Sequence, residues 1–219
     1  TMPIHLPPTS DFHDLSAQEK RYDDLLKTFS TDDAEKLTRA YHRAKKAHAA
    51  QMRDDGTPYI LHPLRAAISL IAEAGVTDVD TLTGVLLHDV IEDTPLTAVQ
   101  IARDFGDEVA RLVQNVTRPR CTDDEDTIRR DKAKKFMALM DADEKTRLVK
   151  CADVLDNVRS WPNIPCGSAA QKKLSRWHDE IETYALPLAQ KTHAVLAGEL
   201  AKAFAFSQNN KDLCVVSHS

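Results

Sequence analysis

The stretch GVLLHDVIEDT, Gly84 to Thr94, reads as helix and yet carries four ionisable side chains into an apolar segment. Val85, Leu86, Leu87, Val90 and Ile91 are apolar, whereas His88, Asp89, Glu92 and Asp93 are not. With Thr77 or Asp78 as N-cap, the pattern predicts one helix over 77–93. Pro95 disfavours helix at Thr94, so the acidic pair closes that helix. On a helix His88 and Asp89 lie about 100° apart, with Glu92 one turn beyond His88 and Asp93 one turn beyond Asp89. The four groups therefore form a polar wedge at a helix end, and burying them without a partner is costly.

The flanking chain is helical as well. DAEKLTRAYHRAKKAHAAQM spaces Leu37, Ala40, Tyr41, Ala44, Ala47 and His48 at steps of three and four. RDDGTPYILHP is a break, and LRAAISLIAEAG is a second helix closed by Gly75. TAVQIARDFG and DEVARLVQNVT predict two short helices. CTDDEDT is an acidic loop or the capped start of a helix to about Met140, and another helix runs from Asp143 to Arg159. WPNIPCG breaks the chain again before a long helix over 169–206, disturbed at Pro187. Only 6 glycines and 5% aromatic residues argue against an all-β fold. The expected fold is all-α. One compact domain covers 32–206, between a loose N-terminal arm, 1–31, with at most one short helix, and a frayed C-terminal tail, 207–219.

Composition narrows the function classes. The 219 residues suit one domain, and 42% hydrophobic with 29% charged residues is ordinary for a globular protein. A net charge of −5 gives no global basic field, so no nucleic-acid partner is expected. No apolar run approaches the roughly 20 residues of a membrane span, and no signal-peptide layout is present. The cysteines, Cys121, Cys151, Cys166 and Cys214, form no CxxC pair, and a chain of this size does not need disulfides. The reading is a cytoplasmic protein in a reducing compartment. Assembly with like subunits is left open.

A divalent metal is the economical partner for the wedge. Imidazole with carboxylate suits Mn²⁺, Fe²⁺, Zn²⁺ or Co²⁺, and two adjacent ligands cannot complete a shell. His48, at the end of the first strong helix, is one further candidate. Asp153 is another, in RLVKCADVLDNVRSW, where Lys150, Asp153 and Asn157 run in a polar line beside an apolar stripe that includes Cys151. The bland alternatives are a satisfied core histidine at His48 and a buried Asp153 held by Lys150 or Arg147. His62, before Pro63, reads as a loop-fixing residue. His42, His178 and His193 belong to no constellation.

The order His48, then His88–Asp89, then Asp153 resembles the H…HD…D pattern of HD-domain metal-dependent phosphohydrolases. AHAAQMRDDGTPYILHPLRAA, GVLLHDVIEDT, FGDEVARLVQNVT, RLVKCADVLDNVRSW and EIETYALPLA together resemble the hydrolase domain of the RelA/SpoT-type alarmone enzymes, over about residues 35–195. The resemblance implies an HD-domain helical bundle. It implies metal ligands His48, His88, Asp89 and Asp153, usually for Mn²⁺, with Glu92 and Asp93 orienting and activating the attacking water. It also implies a nucleotide pocket lined by Asn157, with Arg39 packing on the base. The chain ends where longer members begin a synthetase domain, so it looks like a stand-alone small alarmone hydrolase akin to the metazoan Mesh-type enzymes. Val154 and Asp156 depart from the family, which has a basic residue and often a histidine there.

The reaction so implied is removal of the 3′-pyrophosphate from a guanosine or adenosine 3′,5′-polyphosphate, a small-molecule nucleotide. Cations must offset its charge, and Arg43, Lys45, Lys46, Arg53, Lys150 and Arg159 are the candidates. The bland reading of Lys45–Lys46 is a solvated helix face. Two alternatives stand: an HD phosphohydrolase acting on NADPH or another nucleotide, and a non-catalytic nucleotide-binding or antitoxin-like protein. A pure binder has no use for a water-activating pair.

Overall fold

The computed structural model describes residues 10–118 and 124–211. A short 3₁₀ turn at Ser10–His13 leads into α1 (Leu15–Leu26) and α2 (Thr31–Ala47). Then come α3 (Leu61–Ala72), α4 (Val79–Leu87) and the single turn α5 (Val90–Asp93). The series continues with α6 (Ala98–Phe105), α7 (Asp107–Val116), α8 (Glu125–Met140) and α9 (Glu144–Ser160). It closes with α10 (Leu174–Glu180), α11 (Leu186–Thr192) and α12 (Ala194–Lys211). Among the described residues the one strand-like feature is an isolated bridge, Met52 with Pro58.

α3, α4 and α9 form the centre. Leu61, Leu64, Ile68 and Leu70 of α3, Leu82, Leu86 and Leu87 of α4, and Val149, Leu155 and Val158 of α9 are all buried. α3 is buried on every face from Leu61 to Leu70, as expected of a helix inside a bundle. Gly84 lets α4 approach its neighbours: a Cβ there would lie 3.3 Å from Leu112 Cβ and 3.5 Å from Val149 Cγ2. Caps set the starts. Ser30, Asp78, Thr97 and Asp143 each accept a bond from the backbone N–H three residues on. Gly75, at φ +68°, follows α3, consistent with the closing residue read from the sequence.

Five expectations need revision. The predicted helix over 77–93 is broken at His88–Asp89, where Asp89 takes φ −98°, ψ −7° and α5 starts afresh. The predicted helix over 169–206 is segmented. Pro187 has no N–H and its ring crowds the preceding turn, and the hydrogen-bond ladder widens to a π-helix over Ile181–Ala185, with Leu186 N–H reaching Ile181 O. A second interruption is His193, which is extended at φ −158°, ψ 121°.

The N-terminal arm is not loose where it is described. Gln18, Tyr22 and Leu26, one turn apart on α1, are buried, and α1 packs on α3. At the other end α12 runs on to Lys211, past the expected boundary at 206, and the rest of the tail lies outside the described residues. Cys151 is a free buried thiol, but Cys166 is disulfide-bonded, contrary to the expectation of a chain without disulfides.

Candidate metal centre and nucleotide cleft

His62 stands in the first turn of α3, fixed there by Pro63 behind it. His88 and Asp89 stand at the break between α4 and α5, and Asp153 lies midway along α9. Packing of α3, α4 and α9 brings these four side chains to one point. His62 Nε2 lies 3.0 Å from His88 Nε2, 3.2 Å from Asp153 Oδ1 and 3.6 Å from Asp89 Oδ2. His88 Nε2 lies 3.1 Å from Asp89 Oδ2 and 3.6 Å from Asp153 Oδ1.

The donor set fits a cation. The other ring nitrogen of His88 lies 2.7 Å from Val85 O, an acceptor, so it carries the proton. The other ring nitrogen of His62 lies 2.8 Å from Asp156 Oδ2, and the same holds. Both Nε2 lone pairs therefore face each other and two carboxylate oxygens, an arrangement that needs positive charge between them. Burial works against a charged His88, but Asp89 and Asp153 raise its pKa well above the usual imidazole range. For Asp153, burial favours the neutral acid, but Lys150 and the two histidines hold its carboxyl well below the usual range.

His62 thus occupies the place the sequence reading gave to His48. His48 is the C-cap of α2, stacked on Tyr59 with ring centroids 4.5 Å apart and Nδ1 2.7 Å from Gln51 Oε1. It lies outside the group of ligand atoms that converge at His62, His88 and Asp89. A signal for His62 was present in the sequence. His62, Arg65 and Ser69 form a polar line along an otherwise apolar helix, and a buried helix needs a partner for each.

The acidic pair sits a turn beyond the cluster. Glu92 accepts the Arg118 backbone N–H at 2.9 Å, with the Arg118 guanidinium 3.4 Å away. Tyr59 O–H is placed between Asp89 Oδ2 at 2.7 Å and Asp93 Oδ2 at 2.9 Å. Burial and these two carboxylates push the Tyr59 phenol far above its ordinary value, so it stays a donor. Tyr59 was missed in the sequence because nothing local marks it.

The cluster opens into a cleft of 460 Å³ whose lining includes Asp89, Glu92, Asp93, Asp153 and Asn157. Asn157 donates to Asp153 Oδ1 at 2.6 Å and accepts from Arg53 Nη2 at 2.8 Å. Among the described residues, the cations lining the cleft are Arg53, Arg118, Lys132, Lys135 and Lys150. Burial depresses the pKa of Lys132 and of Lys135, with Lys150 adding repulsion at both. Trp161 and Trp177, stacked at 5.7 Å, give the cleft an aromatic flank.

Three of the substrate-binding candidates lie elsewhere. Arg39 faces a separate groove with Asp23 and Leu26 of α1. Lys45 bonds Glu19 of α1 at 2.6 Å. Arg159 makes a forked bond to Glu73 of α3, 2.7 and 2.8 Å, and another to Glu199 of α12 at 2.8 Å. Arg159 is two residues past Asn157, about 200° round the helix, so it faces away from the cleft.

Comparison with known proteins agrees with the all-α fold. The HD domain family pattern matches residues 40–193. A guanosine-3′,5′-bis(diphosphate) 3′-pyrophosphohydrolase of Aquifex aeolicus is 37% identical over 175 residues, 77% of this chain and 23% of that protein. A Mycobacterium leprae protein named a probable GTP pyrophosphokinase is 37% identical over 136 residues, 62% of this chain and 17% of its own length. The chain thus spans less than a quarter of these bacterial relatives. Human MESH1, named a guanosine-3′,5′-bis(diphosphate) 3′-pyrophosphohydrolase, is 38% identical over 131 residues, 58% of this chain and 70% of MESH1. The solved structure of a metazoan SpoT ortholog described as hydrolysing ppGpp superimposes with a TM-score of 0.71 at 28% identity, covering 80% of this chain and 96% of that one. With the domain match covering most of its length and MESH1 aligned over most of its own, this chain belongs to the HD domain family, among the relatives of SpoT and MESH1.

Proposed function

We propose that this protein is a metal-dependent phosphohydrolase that removes the 3′-pyrophosphate from guanosine or adenosine 3′,5′-polyphosphates, with Mn²⁺ as its working ion. The observation that carries the reading is the convergence of two imidazole lone pairs and two carboxylates at one side of a cleft that, among the described residues, is also lined by five cations. Such a site joins a place for an ion to a place for several phosphates. The names of the relatives supply the nucleotide class.

His62, His88, Asp89 and Asp153 would hold the ion. Bound there, a divalent metal supplies Lewis acidity and lowers the pKa of a water. The remaining steps belong to the chain. Glu92 and Asp93, on the cleft side of the cluster, steer the water and take its proton. Arg118 and Tyr59 keep the two carboxylates in place. Lys132, Lys135 and Lys150 neutralise the phosphates. Arg53 and Asn157, bonded to each other beside the cluster, meet the nucleoside.

The test is a panel of ppGpp, pppGpp, ppApp and NADPH with Mn²⁺, before and after chelation. The expected result is pyrophosphate release from a 3′-pyrophosphorylated nucleotide, abolished by EDTA and restored by Mn²⁺. Release of single phosphate from NADPH, with no turnover of the alarmones, would overturn the substrate class. Full activity of demonstrably metal-free protein would overturn the mechanism.

A further inference from the structure

Behind His62 lies a buried charged network that the proposed chemistry does not use. Asp156, bonded to His62 Nδ1, takes a forked bond from Arg65: Nε to Oδ1 at 2.7 Å and Nη2 to Oδ2 at 3.0 Å. Arg65 Nη2 also reaches Ser160 Oγ at 3.0 Å, and Nη1 donates to the Phe12 backbone carbonyl at 2.9 Å. The Phe12 ring covers the guanidinium, whose carbon is 3.9 Å from the ring centroid. His62, Arg65 and Asp156 are 1%, 3% and 2% exposed.

Stability does not account for this network. Desolvation of a buried ion pair roughly cancels its attraction, and an apolar pair of similar size would serve as well. Its geometric effect is specific. A histidine ring turns easily about its last torsion, and only an acceptor at Nδ1 fixes both the ring plane and the position of the proton. Asp156 is that acceptor, the Arg65 fork fixes Asp156, and Phe12 fixes Arg65. The same N-terminal turn is tied to the cleft a second time, through His13 Nδ1, 3.7 Å from Asp55 Oδ2, and Asp55 is part of the cleft lining.

We infer that Arg65 and Asp156 are positioning residues that set His62 as a metal ligand, and that the turn Ser10–His13, through Phe12, is the outer support of the metal centre. The inference rests on reading the His62 cluster as a metal site, and not on which nucleotide is cleaved. It gives the N-terminal segment a part in the function, and it gives Asp156, a departure from the family at that position, a partner in Arg65.

The test uses the full chain without nucleotide, so a failure to cleave alarmones leaves its result standing. Arg65→Met with Asp156→Leu removes both charges together and strands neither. Mn²⁺ affinity should fall roughly 10–100-fold, the usual effect of losing an outer partner of a ligating histidine. Turnover at saturating Mn²⁺ and the substrate KM should stay within about threefold, because no group touching substrate has changed. Phe12→Ala should weaken Mn²⁺ in the same direction by a smaller factor. Nitrogen chemical shifts of His62 in the metal-free wild type should show the proton on Nδ1, and should show mixed tautomers in the double variant. A double variant that melts like the wild type and binds Mn²⁺ equally well would overturn the inference. So would a wild-type His62 with its proton on Nε2, a measurement that does not depend on any variant folding.

Discussion

Replacing His62 and His48 one at a time by alanine separates the two histidines that compete for one role. In His62→Ala, Asp156 loses one hydrogen bond but keeps the Arg65 fork, at a cost of about 1–2 kcal/mol, and the vacated ring adds about as much as cavity. The sum, about 2–4 kcal/mol, lowers the melting temperature of a chain of this size by roughly 5–15 °C. In His48→Ala, the bond to Gln51 and the stack on Tyr59 go, at about 1 kcal/mol each. The two variants therefore lose comparable stability, and melting alone cannot tell them apart. Metal binding can. His62→Ala removes one of four donors, so Mn²⁺ affinity should fall by more than the roughly 10–100-fold that follows loss of an outer partner. His48→Ala should leave it within about threefold, since no ligand atom is touched. Elemental analysis after dialysis against Mn²⁺, with a Mn²⁺ titration on each folded variant, reads the difference. Metal retained in His62→Ala and lost in His48→Ala would refute the assignment.

Glu92→Gln with Asp93→Asn keeps shape and removes charge, so the ion should stay while single-turnover rates on ppGpp fall about 10²–10⁴-fold, or roughly 3–5 kcal/mol. Unchanged turnover would leave the pair as a mere helix end. Lys132→Met with Lys135→Met should raise KM about 10–100-fold or more with little change in Mn²⁺ binding, because each lysine offers a charge-assisted bond to phosphate; steady-state kinetics checks this. For Glu73, burial opposes ionisation, but the Arg159 fork more than offsets it and holds the carboxyl below its ordinary value of 4.5. A depressed folded-state pKa stabilises above the unfolded value and is lost as pH falls through the folded one. Glu73→Gln should therefore cost about 1–3 kcal/mol at pH 7 and progressively less below pH 4.5, measured by urea melts across that range. Gly84→Val should destabilise by about 1–3 kcal/mol or more, since the new side chain meets Leu112 Cβ, which cannot swing aside; a melting temperature at or above the wild type would contradict that close approach.

The polar wedge at 84–94 finds its partners in the tertiary structure: His88 and Asp89 meet His62 of α3, and His88 meets Asp153 of α9. What the sequence carried was local. Three- and four-residue spacing marked the helices, Gly75 marked an end, and the adjacent His88–Asp89 pair stood out because charge in an apolar run is expensive anywhere. The line Lys150, Asp153, Asn157 was legible for the same reason, being a property of one helix face. The bonds along it, Lys150 to Asp153 at 2.7 Å and Asn157 to Asp153 at 2.6 Å, each span about one turn of α9.

Which histidine completes the cluster was not local. His48 and His62 are both single histidines next to a chain break, and spacing along the chain does not rank them. Only the packing of α3 between α4 and α9 carries His62 Nε2 to within 3.6 Å of His88, Asp153 and Asp89, while His48 is turned onto Tyr59. The cations follow the same rule. Lys45 and Arg159 look alike in sequence to Arg118 and Lys132, but one meets Glu19 of α1 and the other Glu73 and Glu199, whereas α8 and the end of α7 turn theirs into the cleft. A helix period says which residues share a face. The direction of that face is set by the apolar stripes of its neighbours, and those act between segments far apart in the chain.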